Sequence, residues 1–530
     1  SALGADATEQ ANVLNWLRGD QSLEGPGDTD FRQREHLLGD IVNSNPHYDD
    51  ATSTLYVGAN DGMLHAFQAD DTAFAGQERF AYVPNALFPT LANLTEQGYV
   101  HRYYVDGSPS VAEVGEDDTR RSILVGTLAA GGRAVFALDV TAPDSFAADD
   151  VLWEIGHEDA DFAELGYMVG QMTPTPVVGV WNGNEVVVFG NGVDSETGAT
   201  LFVVDVETGE LVDKLTVSTA SDNGLAGATL VLDPDGEIAA AYAGDLNGNL
   251  WKFDFTGSTL ELAVGGDPLF VAHYPAAEGD EDEDDDGWIP QPITAPVNVA
   301  KHPDGGNIVV FGTGQYLRTT DPADLAVQTA YGVWDTARLQ GTADGYAWSG
   351  GTSTARGELL QQEFFYEDVI GERKWRIVSD YTLDWNSKRG WFVDLVSPVD
   401  GEQGERINYQ PSVIASTGEV MFTSIVPTQA DDPCMAGTAY RWIFVLDSQS
   451  GGISDSTRFD TNEDGVFDEE DVKRIVEGDE TDFVPYIGFT TDFGGSATPA
   501  GQGTDVITID EGADTKNLGG PPRQSWRQLR

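Results

Sequence analysis

A short apolar segment that closes on glycine recurs along the chain, and it limits the fold more than any other feature. The copies are Tyr56-Val57-Gly58, Leu124-Val125-Gly126, Val188-Phe189-Gly190, Tyr242-Ala243-Gly244 and Val310-Phe311-Gly312, with Met421-Phe422-Thr423 as a degenerate sixth. After a variable turn comes a second apolar segment ending in Asp: Leu138-Asp139, Val204-Asp205, Phe253-Asp254, Trp334-Asp335 and Leu446-Asp447. The first copy, Leu64-His65-Ala66-Phe67, ends in Gln68 instead. Upstream of most copies lies a Pro-marked segment: Ser108-Pro109-Ser110-Val111, Pro174-Thr175-Pro176-Val177-Val178, Thr294-Ala295-Pro296-Val297 and Gln410-Pro411-Ser412-Val413. Apolar pairs broken by Pro, Gly and turns such as Asn60-Asp61-Gly62 and Asn247-Gly248-Asn249 signal strands and hairpins. Each unit therefore predicts a small antiparallel sheet. Six or more such units, similar but unequal in length, fit an all-β fold, a modified β-propeller with inserted loops and short helices. A row of sandwich domains is the alternative, but the repeats follow one another more closely than a sandwich of about 100 residues allows.

Departures from the repeat set the domain organisation. Residues 1–37 read as a helical lead-in, with Val13, Leu14 and Leu17 at helical spacing near Asn15-Trp16-Leu17-Arg18. Residues 38–530 then form the propeller. Insertions are expected at about 338–405, which carries strands of its own such as Trp391-Phe392-Val393-Asp394-Leu395, and at about 452–482. The acidic block 278–287 reads as a solvated loop, because like charges repel, and 493–520 shows no usable periodicity.

Charge narrows the partners. Asp and Glu number 89 against 28 Lys and Arg, a net charge of −61. Such a chain cannot hold a phosphate backbone by counterion release, so nucleic acid is excluded as a partner, and anionic membrane surfaces are disfavoured. A hydrophobic fraction of 40%, with 24 Phe, 17 Tyr and 12 Trp, supports a large core and excludes disorder. Only seven residues are Lys, the pattern of a protein kept soluble at high salt by carboxylates. Cys434 is the single cysteine, so no internal disulfide and no cysteine zinc cluster can form. No leader with a basic and then an apolar region opens the chain, and no apolar run approaches the ~20 residues of a membrane helix. The sequence as given reads as soluble, either cytosolic or processed from a longer precursor.

The chemistry concentrates at Asp460-Thr461-Asn462-Glu463-Asp464-Gly465-Val466-Phe467-Asp468, which matches the start of a calcium loop, D-x-[DN]-x-[DN]-G. In that pattern positions 1, 3 and 5 turn oxygens inward, Gly at 6 permits a sharp turn, 7 offers its carbonyl and 9 a further oxygen. The expected metal ligands are thus Asp460, Asn462, Asp464, Val466 and Asp468, and the all-oxygen set selects Ca2+ over zinc. Asp471 at position 12 offers a carboxylate shorter than the usual Glu, and Val472, Ile475 and Val476 suggest a short helix after the loop. Asp282-Glu283-Asp284-Asp285-Asp286-Gly287 repeats the first six positions, but Pro290 occupies the ninth, and a solvated loop is the better reading. The seven His show no metal-ligand spacing, and neither a GxSxG elbow nor a Walker A loop occurs. Gly190-Asn191-Gly192 and Gly312-Thr313-Gly314 read as turns. Arg18-Gly19-Asp20 is an integrin-type tripeptide if displayed on a loop tip and an ordinary helix end otherwise.

Several blocks resemble the C-terminal propeller of the PilC/PilY family of type IV pilus biogenesis factors and tip-associated adhesins. They are Leu38-Gly39-Asp40-Ile41-Val42-Asn43-Ser44-Asn45-Pro46, Tyr56 to Phe67, Phe189 to Gly192, Ala241 to Asp254, Pro292 to Pro296 with Phe311 to Gly314, and Arg523-Gln524-Ser525-Trp526-Arg527. The resemblance implies a seven-bladed propeller of quinoprotein-like repeats with calcium held in an inserted loop by Asp460, Asn462, Asp464, Val466 and Asp468. It implies a non-enzymatic, calcium-dependent assembly and regulatory protein of the fimbrium, favouring pilus extension over retraction and supporting cell adhesion and surface motility. Its partners would be minor pilins at the tip and host or surface receptors, and it would be exported to the periplasm, outer membrane or cell surface, and pilus tip. Family members usually carry a further N-terminal region, often a von Willebrand A-like module, and often a partner for the cysteine near Asp432-Pro433-Cys434. The competing readings are a quinoprotein-like dehydrogenase, since Tyr56 to Phe67 also resembles its repeats, and a carbohydrate-binding propeller. If the carboxylate surface is a salt adaptation, the melting temperature rises between low salt and molar KCl; an unchanged melting curve removes that reading.

Overall fold

The computed structural model describes the chain except residues 1–2, 5, 29, 71, 116–118, 170–176, 196, 276–286, 319, 344, 428–439, 454–458, 460, 462–470, 478–479, 493–497, 500–506 and 509–530. Two compact units result, residues 1–241 with 257–261 and residues 242–256 with 262–530, the division falling inside the strand Ile238–Gly244.

In the first unit, three repeats fold into four-stranded sheets with neighbours in sequence order and every pair antiparallel. One comprises His47–Asp49, Thr54–Ala59, Met63–Gln68 and Glu78–Tyr82. The next has Ser110–Val114, Arg121–Thr127, Ala134–Asp139 and Val151–Gly156, and the third Val177–Trp181, Asn184–Gly190, Ala199–Asp205 and Leu211–Ser218. The glycine segment lies on the second strand of each sheet and the following segment, ending in Gln68, Asp139 or Asp205, on the third. The Pro-marked segments lead into or form the first strand in the second and third sheets. The central strands are buried on both faces and read as continuous apolar runs, such as Val186, Val187, Val188 and Phe189.

The glycines answer a steric demand. A Cβ at Gly58 would stand far inside van der Waals contact with Val105, and one at Gly190 with Ala226. In the second unit the same holds for Gly244 against Ile293 and Gly312 against Ile407. Each neighbour belongs to the chain leading into the next repeat. At three of these crossings the approaching residue also donates its N–H to the carbonyl just after the glycine: Val105 to Ala59 at 3.4 Å, Ile293 to Asp245 at 3.0 Å and Ile407 to Thr313 at 2.9 Å. The terminal aspartates have a separate local task, closing an Asx turn. Asp139 accepts from the Thr141 N–H and hydroxyl, Asp205 from Glu207 and Thr208, Asp254 from Thr256, and Asp447 from Gln449 and Ser450.

The lead-in contains the helix Ala7–Leu17, whose first turn is capped by the Asp6 carboxylate accepting from Thr8 N at 2.8 Å and Glu9 N at 2.9 Å. Its inward face is Val13, Trp16 and Leu17, whereas Leu14 points outward; the Trp16 ring takes the place expected for Leu14 and is covered by the Arg34 guanidinium 3.6 Å from its centre. Arg18-Gly19-Asp20 is the end of this helix. Arg18 N–H reaches Leu14 O, Asp20 N–H reaches Asn15 O, and Gly19 sits at φ +98°. His65 is held between Glu78 (Nδ1–Oε1 2.5 Å) and Asp61 (3.1 Å). Burial disfavours its charge, but these two carboxylates outweigh burial and push its pKa up to about 9.

The second unit holds two larger sheets. Asn298–Lys301, Asn307–Gly312, Thr329–Asp335 and Gly390–Asp394 are antiparallel, with Leu360–Gln362 added in parallel to the last. The other sheet runs in the order Phe364–Ile370, Arg373–Val378, Gly488–Asp492, Tyr440–Asp447, Glu419–Val426 and Ser412–Ile414. Residues 338–405 thus feed strands into both sheets, and the hairpin of Arg338–Thr342 with Gly345–Ser349 forms a sheet of its own. The expected helix after the calcium loop is not formed. Val472–Glu477 is a strand paired antiparallel with Glu480–Pro485. Val472, Ile475 and Val476 satisfy a helical period, but β-branched residues followed by Gly478-Asp479 favour a hairpin. Replacing Gly312 with Ala forces a methyl into the Ile407 side chain and should cost about 1–3 kcal/mol, read as a lower urea midpoint; an unchanged midpoint would show that the crossing relaxes freely.

Candidate metal centre

The expected ligands Asp460, Asn462, Asp464, Val466 and Asp468 lie outside the described residues, as do Cys434 and the acidic run to Asp286. What the structure places is their frame. The chain leaves the sheet after Tyr440–Asp447 and returns as Gly488–Asp492, and these two strands pair directly, Phe444 opposite Gly488 and Tyr440 opposite Asp492. The whole excursion is thus anchored at both ends on one antiparallel pair.

Two residues flanking the first ligand position are fixed. Phe459 is buried, its ring 5.3 Å from Phe489 and 5.9 Å from Trp375 in a cluster that includes Ile377, Met421, Ile443 and Tyr486. Thr461 is also buried, and both its N–H, at 2.7 Å, and its hydroxyl, at 3.1 Å, donate to Asp471 Oδ1. Asp471 is 1% exposed. The second and twelfth positions of the loop are therefore tied together by a carboxylate, so the segment between them begins and ends at one place.

Beyond Asp471 the hairpin is tied to the edge of the sheet. Lys473 Nζ lies 2.7 Å from Asp368 Oδ2 and 4.6 Å from the centre of the Tyr366 ring, and Tyr366 Oη donates to the same Asp368 oxygen at 3.0 Å. The hydrogen bond to Asp368 raises the Lys473 pKa above the usual lysine range, and the same bond lowers that of Asp368. Deeper in this sheet Arg376 is fully buried and bidentate to Glu405, both distances 2.9 Å, with Glu367 at 3.2 Å and the Trp442 ring centre 3.6 Å from its guanidinium carbon. Ser424 donates its hydroxyl to Glu405. Burial raises the Glu367 pKa even against Arg376.

The donor chemistry available around the loop is carboxylate, amide and carbonyl oxygen, which suits a hard cation. Elsewhere, among the described residues, no three His, Cys, Asp or Glu side chains converge on a possible metal position. Sequence reasoning missed Phe459, Thr461 and the Lys473–Asp368 tie. An aromatic just before the loop and a hydroxyl at its second position were the signals available for the first two, whereas Asp368, 105 residues from Lys473, leaves none.

Sequential four-stranded meanders, with the glycine strand crossed by the next repeat's lead-in at Gly58, Gly190, Gly244 and Gly312, define a β-propeller. The sequence pattern of the PilY1 beta-propeller domain matches residues 38–368, and the chain belongs to that family. It is 35% identical to a type IV pilus biogenesis factor PilY1 homolog of Xylella fastidiosa, over 83% of this chain and 31% of that protein. It is 33% identical to the type IV pilus biogenesis factor PilY1 of Pseudomonas aeruginosa strain PAK, over 99% of this chain and 48% of that protein. The crystal structure of the Pseudomonas aeruginosa PilY1 C-terminal domain matches with a TM-score of 0.67 at 32% identity, covering 88% of this chain and 92% of that one. The chain spans less than half the length of these two curated relatives.

Asp471→Ala leaves the buried Thr461 donors without their acceptor and should cost about 1–3 kcal/mol, measured by urea unfolding in the presence of a chelator. Stability equal to the parent chain would show that the tie does not hold the frame.

Proposed function

We infer that this propeller is the regulatory part of a type IV pilus biogenesis factor, acting without catalysis and dependent on calcium. The relatives are named for pilus biogenesis, and the complete calcium-loop spacing lies in an insertion whose ends are fixed by Phe459 and the Thr461–Asp471 tie. The tie is the observation that carries the reading, because it gives loop occupancy a rigid base to act against. Residues 38–530 would form the propeller, preceded by the helical lead-in of 1–37.

Calcium, when bound, would neutralise carboxylates that otherwise repel one another within a strongly acidic chain. Asp460, Asn462, Asp464 and Asp468 would present side-chain oxygens and Val466 its carbonyl. Asp471 holds the second position through Thr461, and Lys473 fastens the following hairpin to Asp368. A partner that binds only the calcium-ordered insertion would shift the population toward it by its difference in affinity for the two states. The partners proposed are minor pilins at the pilus tip, with host or surface receptors in adhesion; the outcome is pilus extension against retraction and surface motility, and the location is the exported, pilus-associated space.

Calorimetric titration of calcium into the chain beside Asp464→Ala, in the salt of its native medium, tests this. One site lost in the variant supports the reading and leads to retraction assays in cells. Several weak sites indifferent to the substitution would reduce the carboxylates to a counterion sponge and end the switch.

A further inference from the structure

A lysine and an aspartate that the calcium reading does not use meet in the interior of the second unit. Lys252 lies on the strand Asn249–Asp254 and Asp335 ends the strand Thr329–Asp335. Both side chains are 1% exposed, and Lys252 Nζ is 2.6 Å from Asp335 Oδ2. Tyr242 Oη donates to that same oxygen at 2.6 Å, and the Ala337 N–H donates to the other, Oδ1, at 2.9 Å. Asn307 Nδ2 donates to Tyr242 Oη at 3.3 Å, and the Trp348 ring centre lies 3.5 Å from Nζ. Asp335 caps its turn through the Ala337 N–H, as the aspartates of other repeats do, and has in addition acquired an amine and a hydroxyl donor on its other oxygen.

We propose that Lys252 and Asp335 condense to an intramolecular isopeptide bond, a covalent cross-link spanning residues 252–335. The parts that amide formation needs are in place. Proton transfer within the pair converts ammonium and carboxylate to amine and carboxylic acid, a change favoured where charge is poorly solvated. The Nζ lone pair then attacks Cγ, forming the C–N bond, while the carbonyl electrons move to Oδ1, where the Ala337 N–H stabilises the oxyanion. As the oxyanion collapses, the Cγ–Oδ2 bond breaks. Oδ2 carries the acid proton and receives a second from Nζ, relayed by the Tyr242 hydroxyl, and departs as water. Amine and carboxylic acid become amide and water, with no oxidation or reduction.

The surroundings support each role. Burial lowers the Lys252 pKa from the usual lysine range, although Asp335 opposes the shift, so the neutral amine becomes accessible. Burial likewise raises the Tyr242 pKa well above its usual value, which keeps the hydroxyl a proton donor. Water needed for the reverse hydrolysis is excluded from a pair this deeply buried. The product removes two buried charges that are otherwise costly to desolvate. With one cysteine, the chain has no internal disulfide to supply such a tie.

Intact-mass spectrometry of the folded full chain, followed by protease mapping, decides the matter without relying on any variant. The expected result is a mass one water below that of the sequence and a branched peptide joining the segments that carry Lys252 and Asp335; Lys252→Met, read under denaturing conditions whether or not it folds, should restore the full mass. A full-mass parent chain after prolonged incubation overturns the proposal. So does a water loss that maps to a succinimide at an Asp-Gly step such as Asp61-Gly62.

Discussion

Four of the repeats let the chain that follows cross them closely, at Gly58, Gly190, Gly244 and Gly312, and that requirement sets much of the rest. The chain entering the next sheet passes over the end of the second strand at a distance only a residue without Cβ allows, as Val105 does at Gly58, Ile293 at Gly244 and Ile407 at Gly312. The crossing also satisfies backbone groups, since the arriving N–H finds the carbonyl just beyond the glycine. A buried strand end that would otherwise carry an orphan carbonyl becomes a junction. Three of these crossings, at Val105, Ile293 and Ile407, come just before a Pro-marked segment. Sequence drift elsewhere in the repeat is tolerated because this junction asks for so little: one glycine and one backbone hydrogen bond.

Charge follows a different economy. With a net charge of −61 the outer surface has few cations to share, and several of those present in the second unit are spent inside. Arg376 is bidentate to Glu405, Arg356 pairs with Asp394 at 2.6 Å beneath the Phe392 ring, and Arg406 gives its guanidinium to the carbonyls of Gln315, Asp321, Asp324 and Gly404. These interactions do not rank as simple sources of stability, because desolvation offsets most of the Coulomb gain. They specify geometry instead: Arg406 can be satisfied only if the segment 315–324 adopts the path that presents those carbonyls.

Much of this architecture was legible in the residues. The glycine, Asp and Pro markers fell on successive strands because each reports a local demand, close approach, an Asx turn or a strand entry, that a single residue type meets. Reading failed where two periods coincide. Val472, Ile475 and Val476 fit one helix face and equally a β-branched strand, and the pairing with Glu480–Pro485 decides between them. Of the three inward residues expected in the first helix, Val13 and Leu17 are buried, whereas Leu14 is exposed and Trp16 is buried instead. Long-range partners were invisible in principle: nothing near Lys473 announces Asp368, and Trp334-Asp335 looks like any other strand end although its carboxylate meets Lys252. The five expected oxygen ligands stand in the sequence as a spacing and lie outside the described residues, whereas the flanking contacts of Phe459 and of Thr461 with Asp471 were not legible.

The excursion between Asp447 and Gly488 leaves one strand and re-enters on its direct neighbour. The pairing of Phe444 with Gly488 closes the excursion on the sheet's own ladder, and Phe459 returns one of its side chains to the core cluster beneath. This seam is consequently a port: a segment grafted between Phe459 and Tyr486 would start and finish on side chains already seated in the core, above a hydrogen-bond ladder it need not supply.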